Sequence, residues 1–172
     1  MMKGGAGTRP RRNVLVVGIG NPDRGDDGIG PLVAQLLAGR VPPGVAIIER
    51  TGDTLGLIED WAGHDAVVLV DAAAPGTTPG SVRRIDLLKD ELPADLSLSS
   101  THAFGVANTV GLARTLGLLP RSLIVYAVEG GNFGPGVPLS PAVAAAADEV
   151  VARIIAELRL LQHGELGDAP HA

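Results

Sequence analysis

NVLVVGIGNPDRGDDGIG, residues 13–30, is the stretch from which the fold can be read. Val14, Leu15, Val16 and Val17 form a short apolar run with no polar alternation, which reads as a strand covered on both faces, as in a parallel sheet. Gly18 and Gly20 close the run, and Asn21-Pro22 marks a turn, because proline lacks the N–H that a central strand needs. Asp26-Asp27-Gly28 follows, and then Ile29, Leu32, Val33, Leu36 and Leu37 fall on one helical face. The order strand, glycine loop, acidic pair, helix delivers two carboxylates to the carboxyl end of a buried strand. Open α/β sheets bind their ligands there.

The pattern repeats along the chain. Residues 45–48 are a second short strand; Thr51-Gly52-Asp53-Thr54 is a loop in which Asp53 or Thr54 can cap a helix turning Leu55, Ile58 and Trp61 inward. AVVLV, residues 66–70, is the most buried-looking strand, with Asp71 at its carboxyl end. A Pro/Gly loop follows, and the weak alternation of residues 81–87 suits an edge strand. A hydroxyl-rich run, residues 97–101, leads to His102. Val106, Val110, Ala113 and Leu116 mark a helix stopped by Gly117 and Pro120. Residues 123–128 are another strand, ending in Glu129-Gly130-Gly131. Ser140-Pro141 starts a last helix carrying Val143, Ala147, Val150, Ile154, Leu158 and Leu161. The expected architecture is a three-layer α/β/α sandwich with a mostly parallel central sheet of about five strands. Residues 1–12 read as a disordered arm, 13–162 as a single α/β domain and 163–172 as a frayed tail.

Composition narrows the function. With 172 residues, 45% of them hydrophobic, the chain is long enough for a substantial core. A formal charge of −5 argues against a general nucleic-acid footprint. The absence of cysteine removes disulfides, thiolate metal sites and a cysteine nucleophile, and fits a cytoplasmic protein. No apolar run reaches the roughly 18 residues of a membrane span, and the basic start lacks the apolar core of a signal peptide.

Asp27, Asp71 and His102 come from three separate segments, each expected at the carboxyl edge of the sheet. Two carboxylates and an imidazole suit a divalent transition metal that keeps open positions for water or a substrate group. Each also has a structural reading: Asp27 as a helix cap, Asp71 as an acceptor for loop amides, His102 as a loop residue. Glu129, at another strand end, is an accessory carboxylate or a structural one. No G-x-S-x-G elbow or P-loop is present. A dinucleotide fingerprint starting at Gly18 would need its third glycine at position 23, where Asp23 stands. A Rossmann-like nucleotide binder nevertheless stays open as an alternative, as does a non-catalytic metal-sensing or scaffold module.

Gly18-Ile19-Gly20-Asn21, Asp26-Asp27-Gly28-Ile29-Gly30, Val70-Asp71-Ala72 and Ser100-Thr101-His102 together resemble the nickel–iron hydrogenase maturation proteases. The resemblance implies an α/β/α fold and an endopeptidase that removes a C-terminal extension from the hydrogenase large-subunit precursor after nickel insertion. It implies that Asp27, Asp71 and His102 recognise nickel. Asp27 or Asp71 is then the expected catalytic base, and Asn21, Asp53 and Glu129 are the expected substrate-binding residues. The nickel is expected to arrive with the nickel-loaded precursor, the isolated site being empty or holding another divalent ion. A monomer is expected. Two departures stand out: Thr51-Gly52-Asp53-Thr54 replaces the D-G-G-T usual in the family, and Asp27 stands where glutamate also occurs.

Overall fold

The computed structural model describes residues 10–51, 53, 55–91 and 105–164. Its elements are β1 (Val14–Ile19), a 3-10 turn (Gly25–Gly28), α1 (Ile29–Leu37), β2 (Val45–Arg50), α2 (Gly56–Trp61), β3 (Ala66–Ala73), β4 (Val82–Asp86), α3 (Val106–Leu116), β5 (Ser122–Glu129) and α4 (Pro141–His163). The sheet order is β2-β1-β3-β5-β4. All neighbours are parallel except β4, which pairs antiparallel with β5 at the edge, as its weak alternation predicts. The residues expected as the disordered arm and the frayed tail lie mostly outside the described part; the last helix runs one residue past the expected end, to His163.

Strand alternation divides the core in two. Val14 and Val16 of β1, Val68 and Val70 of β3 and Tyr126 of β5 pack under Ile29, Val33 and Leu37 of α1 and under α4. Leu15, Val17, Val67, Leu69 and Val125 pack on the other face against Leu57 and Trp61 of α2 and Val106, Val110 and Ala113 of α3. This is the expected three-layer sandwich. All six apolar residues predicted to line the last helix are buried. Two helix faces differ from expectation. Leu55 precedes α2 and is 40% exposed, with Leu57 taking the inward position. Leu116, in the last turn of α3, is 56% exposed, while the polar Thr109 is buried nearer the start of the helix.

One buried cluster ties the edge strand to the longest helix. Glu157 of α4, 5% exposed, receives two parallel hydrogen bonds from Arg84 of β4, at 2.7 and 2.8 Å, and one from the Tyr126 hydroxyl at 2.7 Å. The Arg153 guanidinium stands 5.5 Å over the Tyr126 ring. Burial pushes the Glu157 carboxyl up, but the bonds from Arg84 and Tyr126 outweigh it and hold the group below its ordinary value of 4.5. The unfolded chain therefore binds the proton more readily. This cluster's contribution to stability is complete above about pH 4.5 and is lost as pH falls below that value through the lowered folded one. In urea unfolding at pH 7, Arg84→Ala is expected to cost about 2 kcal/mol, less than a fully buried pair because Arg84 is partly exposed. Glu157→Gln is expected to flatten the acid limb of the stability profile.

Candidate functional site

The centre of the carboxyl edge lies between β1 and β3, where the strand order reverses: β2 lies on one side of β1, and β3, β5 and β4 follow on the other. Gly18 and Val70 are register partners, so Ile19-Gly20 and Asp71 leave the two strands side by side. The start of α1 is pressed onto both strand ends. A Cβ on Gly30 would lie 2.2 Å from the Ile19 carbonyl oxygen and 2.7 Å from that of Val70. No larger residue fits there, and the facing Gly18 is equally restricted by the Gly30 carbonyl. Helix, turn and strand ends are thus held at backbone contact.

Asp71 is fully buried. The strand continues through it, since Asp71 pairs with Ala127 and Ala73 with Glu129; the predicted strand end falls three residues short. In register it shares the face of Val67 and Leu69, the face covered by α2 and α3. Asp27 is half-buried in the 3-10 turn, and its Oδ2 accepts the Asn21 N–H at 2.8 Å. It does not cap α1: the helix starts on Gly28 with no side-chain cap. Its main-chain N–H donates to the Arg24 carbonyl at 3.2 Å, and Gly20, at φ +141°, passes so close that a Cβ there would lie 1.9 Å from the Asp27 carbonyl oxygen.

His102, the third predicted ligand, lies outside the described residues, as does Phe104. Among the described residues, no group of three His, Asp or Glu side chains could hold a metal ion. Gly105, where the chain is next described, leads directly into α3 with Val106 buried on the Asp71 face.

The other candidates are occupied with local structure. The Asn21 side-chain oxygen accepts the Asp23 N–H at 2.9 Å. Asp53 Oδ1 accepts the N–H groups of Leu55 and Gly56, at 3.0 and 3.4 Å, as the expected cap at the start of α2. Its other oxygen stands 4.0 Å from Arg50, which is fully engaged by Asp60 and whose guanidinium that pairing holds firmly protonated. Glu129 accepts the N–H groups of Gly76 and Thr78, at 2.9 and 2.8 Å, and the Ser81 hydroxyl at 3.2 Å, so it orders the loop before β4.

The residue that sequence reading passes over is Asp26. It is fully buried, and its carboxylate accepts the N–H groups of Gly131, Asn132 and Ser140 and the Ser140 hydroxyl, at 2.6–2.9 Å. Its own N–H donates to the Asn132 carbonyl at 2.8 Å, and the Gly136 N–H to the Asp23 carbonyl at 2.7 Å. Burial pushes the Asp26 carboxyl up, and the donors from Ser140, Asn132 and Gly131 more than reverse it, leaving it below 3.8. Ser140 is the N-terminal cap position of α4, yet its hydroxyl is spent on Asp26 and not on the helix. The loop after β1 and the loop after β5 are therefore joined across the end of β3. Only the paired acids and the Gly-Gly-Asn run hint at this in the sequence.

Chemically, the edge offers two acidic side chains, Asp71 sealed inside β3 and Asp27 half-open in the turn that follows β1. The acidic pair stands in the turn before α1 where a dinucleotide's pyrophosphate would sit, which disfavours the nucleotide-binding alternative.

Known proteins fit this geometry. A family model described as hydrogenase maturation protease matches residues 31–157. The chain is 29% identical over 170 residues to the hydrogenase expression/formation protein HupM of Azotobacter chroococcum, covering 91% of this chain and 78% of that one. It is similar to the solved NiFe hydrogenase maturation protease HycI of Thermococcus kodakarensis, with a TM-score of 0.68 and 26% identity over 87% of this chain and 94% of that one. The fold is also that of the hydrogenase maturating endopeptidase HybD of E. coli, with a TM-score of 0.71 and 24% identity over 86% and 92%. The tight passage at Gly20 gives a direct check on the turn that carries Asp27. Gly20→Ala is expected to lower stability by more than about 2 kcal/mol in urea unfolding, through strain and the clash with the Asp27 carbonyl.

Proposed function

The chain belongs to the hydrogenase maturation protease family, and on that footing we propose that it removes the C-terminal extension of a nickel-loaded hydrogenase large-subunit precursor. It is a peptide-bond hydrolase, and the observation that supports the finer reading is the presence of Asp71 in β3 and Asp27 in the turn that follows the neighbouring β1, at the carboxyl side of one sheet. Asp27, Asp71 and His102 are the groups that recognise nickel. Two carboxylates and an imidazole leave coordination positions for ligands the precursor already supplies, which fits a metal that arrives as part of the substrate. An empty precursor presents no metal for these groups to complete. Selectivity then equals the difference in affinity between loaded and unloaded forms.

Hydrolysis follows from holding the scissile bond beside the same carboxylates. Water adds to the carbonyl carbon, and Asp27 or Asp71 takes the water proton as base. The C–N bond breaks, and the proton passes to the leaving amine, so the carboxylate is regenerated. Asp71 suits this role because its surroundings exclude bulk water; Asp27, half-open, suits contact with the incoming metal. Asn21 and Asp53 border the substrate from the loops after β1 and β2, and Glu129 shapes the rim through the loop it orders. No helix among the described residues is long and apolar enough to cross a membrane. The reading places the enzyme in the cytoplasm, acting as a monomer, with helices covering both faces of the sheet.

Mass spectrometry of a purified precursor, with and without nickel, tests this reading. A C-terminal mass loss is expected only in the nickel-loaded precursor. Asp71→Asn and His102→Ala are each expected to slow cleavage by about 100-fold or more. Nickel-dependent binding of the precursor with no mass loss would instead identify a sensing or scaffold module.

A further inference from the structure

We infer that Asp26 is a positioning residue for the reaction: through its grip on the loop of residues 130–140, it sets where Asp27 stands at the mouth of the site. The inference rests on the assignment of Asp27 to the substrate's nickel. Its own ground is the set of contacts. Asp27 is held in place by short main-chain features: its N–H on Arg24, Gly20 against its carbonyl, and Asn21 on its carboxylate. Gly20 is tied to β2 by its N–H on the Arg50 carbonyl and the following helix is pressed on the strand ends at Gly30, so the turn is anchored at its two ends. Between those ends, Asp26 fastens the turn to the loop after β5. Its carboxylate gathers three N–H groups and a hydroxyl from residues more than a hundred positions away, and its N–H returns a bond to Asn132. The Gly136 N–H on the Asp23 carbonyl fastens the same two loops two residues earlier.

Every group facing the Asp26 carboxylate is a donor. Three of them share Oδ2 and one reaches Oδ1. An asparagine keeps the shape but replaces one oxygen with an NH2 group. In either orientation that NH2 meets at least one N–H donor, so the strap is pushed off while the size of the side chain is unchanged. A helix cap would tolerate asparagine. This position does not.

The consequence is specific to the site. The joined loops close the carboxyl edge above β3 on the side of α1 and α4, since α4 begins at Ser140. Asp71 belongs to the opposite face, which leads to α2 and α3. Loosening the strap therefore leaves Asp71 in its strand while the turn that carries Asp27 shifts, so the position of one carboxylate changes relative to the other. Displacement of a metal-binding group by loss of its support lowers metal affinity and rate together.

The test uses the full chain, with Asp26→Asn, Ser140→Ala and Asp27→Asn compared with the parent. The readouts are calorimetric titration with nickel(II) chloride alone, cleavage rate on nickel-loaded precursor, and thermal unfolding. Asp26→Asn is expected to weaken nickel binding and slow cleavage by about 10- to 100-fold in the folded protein at 25 °C. Ser140→Ala, which removes one of the four bonds, is expected to fall between it and the parent. A merely structural Asp26 would lower the melting temperature and leave nickel affinity at the parent value, which overturns the inference. Parent-like Asp26→Asn beside an impaired Asp27→Asn also overturns it while sparing the site assignment. A parent-like Asp27→Asn overturns the site assignment and the inference with it. If Asp26→Asn does not fold, Ser140→Ala decides: an intermediate loss supports the inference and parent values overturn it.

Discussion

The structure depends on one constraint of space: the first turn of α1 lies directly on the carboxyl ends of β1 and β3, with no side chain between. Gly18 and Gly30 make this possible. A helix usually stands about 10 Å from the sheet it covers, separated by a layer of side chains. Here the backbone enters that layer, and everything downstream follows from the approach. The turn carrying Asp26 and Asp27 is lowered to the level of the strand ends, so one acid can be buried and the other left half-open. Asp71, one strand away, then has a neighbour of the same charge type at the same height. This contact brings acidic groups from different parts of the chain to one edge of the sheet.

Two buried carboxylates carry the long-range order, and each is handled differently. Glu157 is neutralised by a cation: the Arg84 fork supplies charge and geometry together across both oxygens, and the Tyr126 hydroxyl adds a second bond to Oε2. Asp26 has no cation on it among the described contacts and is held by dipoles alone, three main-chain N–H groups and a hydroxyl. Both solutions meet the requirement that a charge removed from water be compensated by donors. They differ in rigidity. Main-chain donors cannot change rotamer, so the dipole-held acid fixes two loops against each other more firmly than a flexible arginine could. The rigid device is placed beside the site and the flexible one at the far edge of the sheet.

Much of this was legible in the sequence because it is local. Apolar runs of four or five residues announce the central strands; the spacing of Val143, Ala147, Val150, Ile154, Leu158 and Leu161 announces the long helix; weak alternation announces the edge strand. What the sequence hid was long-range or counterintuitive. Ser140-Pro141 correctly marks a helix start, but the serine's hydroxyl is used elsewhere. Leu116 continues an apolar period and yet is exposed, because a period does not say where burial stops. Asp71 looked like a residue just past a strand and lies within one, since pairing with β5 continues after the apolar run ends. Asp26 and Asp27 are chemically identical neighbours with opposite fates, decided by a loop near the other end of the chain. Asp27, Asp71 and His102 share no local pattern that joins them: Asp71 lies inside β3, Asp27 lies in the turn after β1, and His102 lies outside the described residues.

The position of α4 bears on how the chain acquires its fold. β1, near the start of the sequence, lies inside the sheet, but one of its faces is covered by the last helix of the chain. Gln162, near the end of that helix, donates to the carbonyl of Pro43 at 2.7 Å and so fastens α4 to the loop before β2. Until α4 has docked, valines and isoleucines on that face of the central strands lack part of their cover, a state prone to aggregation. Parallel strands joined through distant cover also nucleate slowly. Docking of α4 is therefore the step that closes this layer of the core.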